Sequence, residues 1–236
     1  MRVFVNNTHS KLGVCAARLR TTARALVLMP IFAVLACNAA HGQVPPYKGN
    51  TPASATAKGD QTAVLSGGCF WGVDGVFKHV KGVKSVLSGY SGGSALTAHY
   101  EIVSTGITGH AESVKITYDP ATISYAELLR VFFSVAHDPT ELNRQGPDSG
   151  SQYRSVIFYT DEQQKEIAQG YISQINKDNV FPSKVVTQVV PLTHFYPAEE
   201  YHQNFLELHP DYPYIVYNDL PKLDDLKKQF PALYKP

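Results

Sequence analysis

The chain has 236 residues, which is enough for one large domain or two small ones. A hydrophobic content of 44% with 17% charged residues is typical of a globular protein and excludes global disorder. Residues 1–42 hold five of the 21 basic residues and no acidic one, so the remainder has 16 basic against 20 acidic residues, a net charge of −4, and gives no sign of a nucleic-acid-binding surface.

The first predicted element, residues 1–42, is a signal peptide. A basic stretch up to Arg24 precedes an apolar run over residues 25–36. That run is about a dozen residues long, whereas a helix that crosses a bilayer needs roughly 20. A buried helix is the alternative, but the basic, acid-free flank argues against it. We therefore expect export to the periplasm or cell envelope.

Two processing sites compete at the end of this segment. Small residues at Ala40 and Gly42 suit a signal peptidase that cleaves before Gln43, which would give a soluble protein. Residues 34–37 resemble a bacterial lipoprotein box, in which Cys37 becomes the attachment point of a lipid anchor. Both outcomes stay open at this stage, as does an uncleaved segment.

The rest of the chain is predicted to be a linker and one domain. Residues 43–60 are rich in Pro, Ala, Thr, Ser and Gly and lack hydrophobic periodicity, so we predict a flexible linker followed by a domain over residues 61–236. Strands are predicted over residues 62–66, 84–88, 112–118, 154–159 and 185–190. Helices are predicted over residues 69–79, 124–133, 162–177 and 198–208. Strands joined through helices predict a two-layer α+β sandwich.

Cysteine usage singles out one residue. Cys15 and Cys37 lie in the predicted signal peptide, so Cys69 is the only free thiol expected in the mature soluble domain. An exported protein meets an oxidising compartment, where a lone thiol is a liability unless it is used. Cys69 is therefore a candidate functional residue before any motif is considered.

Cys69 stands where a predicted strand gives way to a predicted helix, directly after Gly67 and Gly68. The glycines allow a tight turn, and the helix N-terminus offers unpaired N–H groups that favour the nucleophilic thiolate. A buried, inert cysteine is the alternative interpretation. Phe70 and Trp71 follow; they either pack in the core or line an apolar pocket beside the sulfur, with the indole N–H in need of a partner.

Glu112 is a candidate general acid. Residues two apart share a face of a strand, so Glu112 shares its face with three apolar residues, Val114, Ile116 and Tyr118. Loss of hydration on such a face raises the pKa of a carboxyl and keeps it protonated near neutral pH. The alternative is a structural ion pair with Arg144 or Arg154.

Residues 137–155 form a long polar loop between a helix and a strand. Loops of this length in compact domains are usually functional or disordered, and the charged and amide residues here favour an ordered, functional loop. A metal site built from His137, Asp138 and Asp148 is disfavoured, because these residues lack a recognised ligand spacing. We expect no metal, and we interpret the histidines elsewhere in the domain as structural.

Several motifs resemble the A-type peptide methionine sulfoxide reductases, which act on the S epimer of the sulfoxide. They occur in that family's order and span about residues 61–210: GCFWG at 68–72, GYSGG at 89–93, TGHAE at 108–112, HDPT at 137–140, NRQG at 143–146, QYRS at 152–155 and AEEYHQ at 198–203. The resemblance implies a ferredoxin-like two-layer α/β sandwich, with helices packed on a mixed sheet.

The resemblance also implies a role for each candidate residue. Cys69 would attack the sulfoxide sulfur and become a sulfenic acid as methionine leaves. Glu112 would protonate the sulfoxide oxygen, and Tyr90 and Tyr153 would donate hydrogen bonds to it. Asp148 would orient the site.

Phe70 and Trp71 would bind the methyl group of the substrate in an apolar pocket. The substrates implied are free methionine sulfoxide and oxidised methionine in proteins, which makes repair of oxidised proteins the expected role. A monomer without a bound cofactor is expected.

One feature departs from many members of that family. They carry resolving cysteines near the C-terminus, whereas no cysteine follows Cys69 in this chain. An external thiol, of the thioredoxin-like or glutathione/glutaredoxin type, is therefore expected to reduce the sulfenic acid. Two other functions compete with a reductase: a one-cysteine peroxidase, which would want a cationic group beside the sulfur, and an exported binding module that uses Phe70 and Trp71 to bind an apolar ligand.

Overall fold

Short apolar segments of the chain pair into one six-stranded sheet. The computed structural model describes residues 42–51 and 59–236, so the proposed signal peptide, with Cys37 and both processing sites up to His41, lies outside the described residues. The strands of the main sheet are β1 Gln61–Ser66, β2 Val83–Ser91, β3 Ala111–Tyr118, β6 Val156–Tyr159, β7 Gln188–Pro191 and β8 Phe195–Pro197. The two-residue strands β4 Arg144–Gln145 and β5 Asp148–Ser149 form a separate hairpin.

The helices are short except for two. They are α1 Phe70–Lys78, α2 Tyr100–Val103, α3 Tyr125–Val131, α4 Glu162–Lys177, α5 Phe205–Leu208 and α6 Leu220–Gln229. Wide π-helical turns extend α3 over Phe132–Ala136 and precede α6 over Ile215–Asp219. Three single 3₁₀ turns cover Ala95–Thr97, Ser151–Tyr153 and Glu200–His202.

The strand order of the sheet is β7-β6-β1-β3-β2-β8. Strand β3 runs antiparallel to both of its neighbours, β1 and β2, so helix α1 connects two parallel strands across it. In the same way α3 lies between β3 and β6, both of which are antiparallel to β1. Two interleaved β-α-β units of this kind make a ferredoxin-like sandwich, and the fold expected from the sequence is confirmed.

The alternation of side chains along the strands decides where the core lies. Ala63 and Leu65 of β1 are buried in the main core, which α1, α3 and α6 cover. Val64, between them, points to the other face and joins a small second cluster with Ala111, Val156 and Phe158. Cys69 belongs to the main core, so the candidate site is built on the helix side of the sheet.

Several sequence predictions change in detail. The helix predicted over residues 198–208 is broken, because Asn204 adopts a left-handed conformation (φ 55°) between a 3₁₀ turn and α5. The strand predicted over residues 185–190 begins later, at Gln188. Ser124 caps the start of α3, where its hydroxyl accepts the Glu127 N–H over 3.1 Å. Helix α6 was not predicted, although the leucines along it repeat every three residues.

The first part of the predicted linker is an ordered part of the fold. Val44 is fully buried, and its N–H donates to the Ser134 hydroxyl over 2.9 Å. The Arg130 guanidinium donates to the Val44 carbonyl, and the Tyr171 hydroxyl donates to the Pro45 carbonyl. Prolines and small residues gave no hydrophobic pattern here, so the groove that holds Val44 could not be inferred. None of the helices in residues 42–51 and 59–236 is long and apolar enough to cross a membrane.

Candidate active site

Cys69 is the N-cap residue of α1, and its side chain is buried, with 8% of the residue exposed. Gly68 before it has φ +90°, a conformation that residues with a side chain rarely adopt. Gly67 is required for space, because a Cβ there would lie 2.9 Å from the ring atoms of His137 and Phe132. The tight glycine turn into a helix is therefore as the sequence predicted.

The charge state of Cys69 differs from the prediction. Burial raises the pKa of the Cys69 thiol well above its usual value, and the carboxyl groups of Glu112 and Asp219 raise it further. The Trp71 backbone N–H and the Lys222 ammonium lower the pKa, but by less. The helix N-terminus acts in the predicted direction, yet loss of hydration outweighs it, so the substrate-free protein holds a thiol.

Glu112 projects from β3 toward the same helix end, with 2% of the residue exposed. Its Oε2 accepts the backbone N–H of Phe70, the residue after Cys69, over 3.0 Å. Burial raises the pKa of Glu112 to about 8; the Phe70 hydrogen bond opposes this shift and the Asp148 charge adds to it. The carboxyl is therefore protonated at neutral pH, as predicted for a general acid.

The alternative role for Glu112, an ion pair with Arg144 or Arg154, does not match the partners of these two arginines. The Arg154 guanidinium donates to three backbone carbonyls, those of Gly109, His110 and Ser151. Arg144 lies in an exposed ion pair with Glu141 and donates to the Gly146 carbonyl. Neither arginine neutralises Glu112, which leaves its proton available for chemistry.

Three tyrosines surround this pair of groups. The half-buried Tyr153 has its pKa raised by burial and by the charges of Glu112, Asp148 and Cys69, which lie near it. The Tyr90 hydroxyl, in contrast, already donates to Glu199 Oε2 over 2.9 Å. The Tyr100 N–H donates to the other oxygen of Glu199. Tyr153 therefore lies among the acidic groups of the site, whereas the Tyr90 hydroxyl is already engaged. Tyr100 and Glu199 were not predicted as site residues.

Aromatic rings line the other side of the site. Trp71 stacks on Phe205 with ring centroids 3.7 Å apart, and its indole N–H donates to His202 Nδ1 over 3.2 Å, the partner that the sequence called for. The edges of Tyr212 and Tyr214 meet the Trp71 ring. Phe70 is also part of this aromatic group: its ring centroid lies 5.9 Å from that of Tyr90 and 5.0 Å from that of His202. The wall is apolar, as a methyl-binding pocket requires.

Asp148 is held in the site by Tyr214, whose hydroxyl donates to its Oδ2. Burial, the charges of Cys69 and Asp148 and this hydrogen bond raise the pKa of Tyr214. Tyr214 lies beyond the motifs that carry the resemblance, so sequence reasoning missed it. It also missed Asp219 and Lys222, whose charges act on Cys69.

The candidate metal ligands have other partners. His137 hydrogen-bonds to the Phe132 carbonyl through Nδ1 and to the Ser155 hydroxyl through Nε2. Asp138 binds the Thr140 hydroxyl and backbone N–H. In the described ranges, 42–51 and 59–236, no three His, Cys, Asp or Glu residues are grouped as a metal site would need. A buried thiol beside a protonated carboxyl, an ordered carboxylate and an aromatic wall suits thiol redox chemistry instead.

Two relatives match most of the chain. A peptide methionine sulfoxide reductase of Mesorhizobium japonicum is 61% identical over 178 residues, which cover 75% of this chain and 91% of that protein. One from Synechocystis is 52% identical over 179 residues, 76% of this chain and 84% of the relative.

Solved structures and a family model agree with these relatives. The reduced form of Mxr1 from Saccharomyces cerevisiae superposes with a TM-score of 0.58 at 33% identity, over 65% of this chain and 87% of that one. Methionine sulfoxide reductase A of Corynebacterium diphtheriae superposes with a TM-score of 0.56 at 31% identity, over 72% and 87%. The model of the peptide methionine sulfoxide reductase family matches residues 61–233. This chain therefore belongs to the A-type peptide methionine sulfoxide reductases, and it is an oxidoreductase that reduces methionine sulfoxide.

Proposed function

We propose that the protein reduces methionine S-sulfoxide, free or in oxidised proteins, through attack of the Cys69 sulfur on the sulfoxide sulfur. The observation that carries this mechanism is the contact between Glu112 and the Phe70 N–H, which brings a protonated carboxyl to the same helix end as the nucleophile. The acid, Glu112 on β3, and the nucleophile, Cys69 at the start of α1, can then act on the same sulfoxide group.

The proton transfers follow from the raised pKa values of both groups. At rest the Cys69 thiol and the Glu112 carboxyl each hold a proton. Glu112 gives its proton to the sulfoxide oxygen as Cys69 attacks, and the thiol proton replaces it. The attack forms a sulfur–sulfur bond and leaves the oxygen as a hydroxyl group on the substrate sulfur. That hydroxyl group then passes to the Cys69 sulfur as the sulfur–sulfur bond and the substrate's sulfur–oxygen bond break, so the thioether leaves and Cys69 ends as a sulfenic acid. One thiol and one sulfoxide become one sulfenic acid and one methionine.

Substrate positioning is assigned to the aromatic wall and the tyrosines. Phe70 and Trp71 hold the methyl group, because the stacked Trp71 and Phe205 rings offer it an apolar surface. Tyr153 donates to the sulfoxide oxygen, and Tyr90 joins it once its hydroxyl turns away from Glu199. Asp148, fixed by Tyr214, orients the groups around the oxygen.

Regeneration requires a thiol from outside the chain. No cysteine follows Cys69, and Cys69 is the free cysteine of the described residues. A thioredoxin-like protein or a glutathione/glutaredoxin system would attack the sulfenic acid, form a mixed disulfide and release the thiol with a second thiol. No cofactor needs to be bound for this cycle, and a monomer is sufficient.

The direct test is mass spectrometry after one equivalent of methionine sulfoxide without reductant. We expect one added oxygen on the Cys69 peptide and one methionine per protein. A one-cysteine peroxidase would instead gain that oxygen as fast or faster from hydrogen peroxide, and a binding module would gain none. The absence of methionine with wild-type protein would overturn the proposed function.

We also propose that the protein is exported to the periplasm or cell envelope, as a soluble or lipid-anchored form. The basic, acid-free stretch and the short apolar run support this, and cleavage before Gln43 would keep the packed Val44 in the mature protein. The mature N-terminus from soluble and membrane fractions, read by mass spectrometry, distinguishes Gln43 from a lipidated Cys37. An intact Met1 in the cytoplasm would refute export.

A further inference from the structure

Gly72, in the first turn of α1, lies against a charged pair from the C-terminal part of the chain. A Cβ on Gly72 would come within 2.1 Å of Asp219 Oδ1 and 2.7 Å of Lys222 Nζ. Gly72 is helical, so its lack of a side chain is needed for space and not for backbone conformation. A carboxylate and an ammonium therefore reach the helix turn that begins at Cys69.

This pair is buried and incompletely satisfied. Asp219 is fully buried, and its Oδ1 accepts a hydrogen bond from Lys222 Nζ over 3.0 Å. The Lys222 side chain is only 18% exposed. The second oxygen, Asp219 Oδ2, has no hydrogen-bond partner within the part of the chain that the structure describes. An unpaired buried acceptor costs stability, so this oxygen is a candidate to receive a proton during the reaction.

The backbone before α6 holds the pair in place. Residues Ile215–Asp219 form a wide π-helical turn, which Tyr214 precedes and Asp219 closes. Tyr214 is fixed at one end by Asp148, and Asp219 is fixed at the other by Lys222. Such turns are frequent at functional sites.

Both charges act on the sulfur from a different part of the fold than Glu112, which lies on β3, whereas Asp219 and Lys222 lie at the start of α6. The Asp219 carboxylate raises the pKa of Cys69 and the Lys222 ammonium lowers it, after the larger effects of burial and Glu112. Reduction of the sulfoxide uses the proton of Glu112, and it leaves Asp219 and Lys222 without a task. In the second half Glu112 is protonated again, so it cannot be the base that takes the proton of the incoming thiol.

We propose that Asp219 and Lys222 are the proton-transfer pair of the regeneration step, an inference that rests on the proposed sulfenic acid at Cys69. A free thiol is mostly protonated at neutral pH, and hydroxide is a poor leaving group, so this step needs a base and an acid. Asp219 takes the proton of the incoming thiol at Oδ2. The thiolate attacks the Cys69 sulfur, and the sulfur–oxygen bond of the sulfenic acid breaks.

The leaving hydroxide takes a proton from the Lys222 ammonium and departs as water. The protonated Asp219 carboxyl then turns its proton toward Lys222, whose Nζ lies 3.0 Å from Oδ1 at rest, and returns it to the neutral amine. The balance is one sulfenic acid and one thiol in, one mixed disulfide and one water out. The thiol reductant is oxidised and the Cys69 sulfur is reduced.

The test separates the two half-reactions in full-length protein with Cys15→Ser and Cys37→Ser, so that Cys69 is the only thiol. Methionine formed in a single turnover without reductant reports the first half. The second half is the rate at which the resulting sulfenic acid is consumed by dithiothreitol and by glutathione. Asp219→Asn and Lys222→Met are compared with two exposed controls on the same helix, Asp224→Asn and Lys228→Met.

We expect the first half-reaction to stay within about threefold of wild type and the second to slow by at least about tenfold in both variants, with unchanged controls. Lys222→Arg keeps the charge and the ion pair but cannot release a proton, so it should remain slow. Unchanged regeneration in both variants, equal losses in both halves, or full rescue by arginine would each overturn the proposal. If Asp219→Asn does not fold, Lys222→Met and Lys222→Arg still decide the question. Failure of wild-type protein to form methionine would instead overturn the proposed function.

Discussion

Two parts of the fold place acidic or basic side chains near Cys69, and they do so through different kinds of structure. On one side, β3 brings the protonated Glu112 to the Phe70 N–H through the regular alternation of a strand. On the other, the turn before α6 brings Asp219 and Lys222 against Gly72 through packing between segments about 150 residues apart. The first side has one neutral group; the second has a buried ion pair.

The difference assigns the two halves of a redox cycle to two parts of the fold. A neutral carboxyl suits protonation of a sulfoxide oxygen, because it can give a proton and its burial keeps that proton near pH 7. An ion pair with a free oxygen suits a step in which one proton is taken and another given. The experiments that follow break or sharpen this division.

The largest effect is expected at the residue that both sides share. Cys69→Ser should abolish turnover, because a serine hydroxyl at this helix end is neither a sulfur nucleophile nor able to hold the oxygen as a sulfenic acid. Methionine release from methionine sulfoxide is the measurement. Cys37→Ser, in the predicted signal peptide, is the matched control and should keep full turnover. Retained methionine release in the Cys69 variant would mean that another group is the nucleophile.

The next effect concerns the β3 side. Glu112→Ala should lower the single-turnover rate by about 10²- to 10³-fold, because the oxygen loses both its proton donor and its hydrogen bond. Glu112→Gln should retain clearly more activity, since an amide still donates a hydrogen bond to the oxygen. Rapid-quench assays of methionine formation measure the single-turnover rates of both variants. Equal and small losses in the two variants would remove Glu112 from the acid role.

The features that could be predicted from the sequence lie mostly on the Glu112 side of Cys69. Glu112 and the glycine turn at Cys69 could be predicted, since both depend on patterns within a few residues: alternation along a strand, and glycines before a helix. The βαβ arrangement followed from the order of such segments. Asp219 and Lys222 could not be placed, because their importance arises from the contact of α6 with α1, and Asn204 broke a predicted helix through a conformation that its neighbours do not signal.

The packing of the second side is tested by Gly72→Ala. The new methyl group would clash with the buried Asp219–Lys222 pair, so we expect a loss of about 1–3 kcal/mol in the free energy of unfolding. Urea denaturation measures it. Gly75→Ala, one turn along the same helix, is the control; its methyl group meets the flexible end of Leu206, and a smaller loss is expected. A greater loss at Gly75 would mean that the charged pair is loosely held.

The smallest effect, and the one that compares the two sides directly, is on the ionisation of Cys69. Above pH 8 Glu112 is a carboxylate, and its charge raises the pKa of the thiol, so Glu112→Gln should shift thiolate formation to lower pH. The Lys222 ammonium lowers that pKa, so Lys222→Met should shift it to higher pH.

Iodoacetamide alkylation of Cys69 against pH reports both shifts, because only the thiolate reacts. The exposed Lys228→Met variant serves as the control and should follow the wild-type curve. Shifts of opposite sign in Glu112→Gln and Lys222→Met mean that β3 and α6 act on the sulfur with opposing charges. A Lys222→Met curve that matches wild type would instead mean that, of these two side chains, only Glu112 affects the pKa of the thiol. The contact of α6 with α1 would then contribute to packing and not to the ionisation of Cys69.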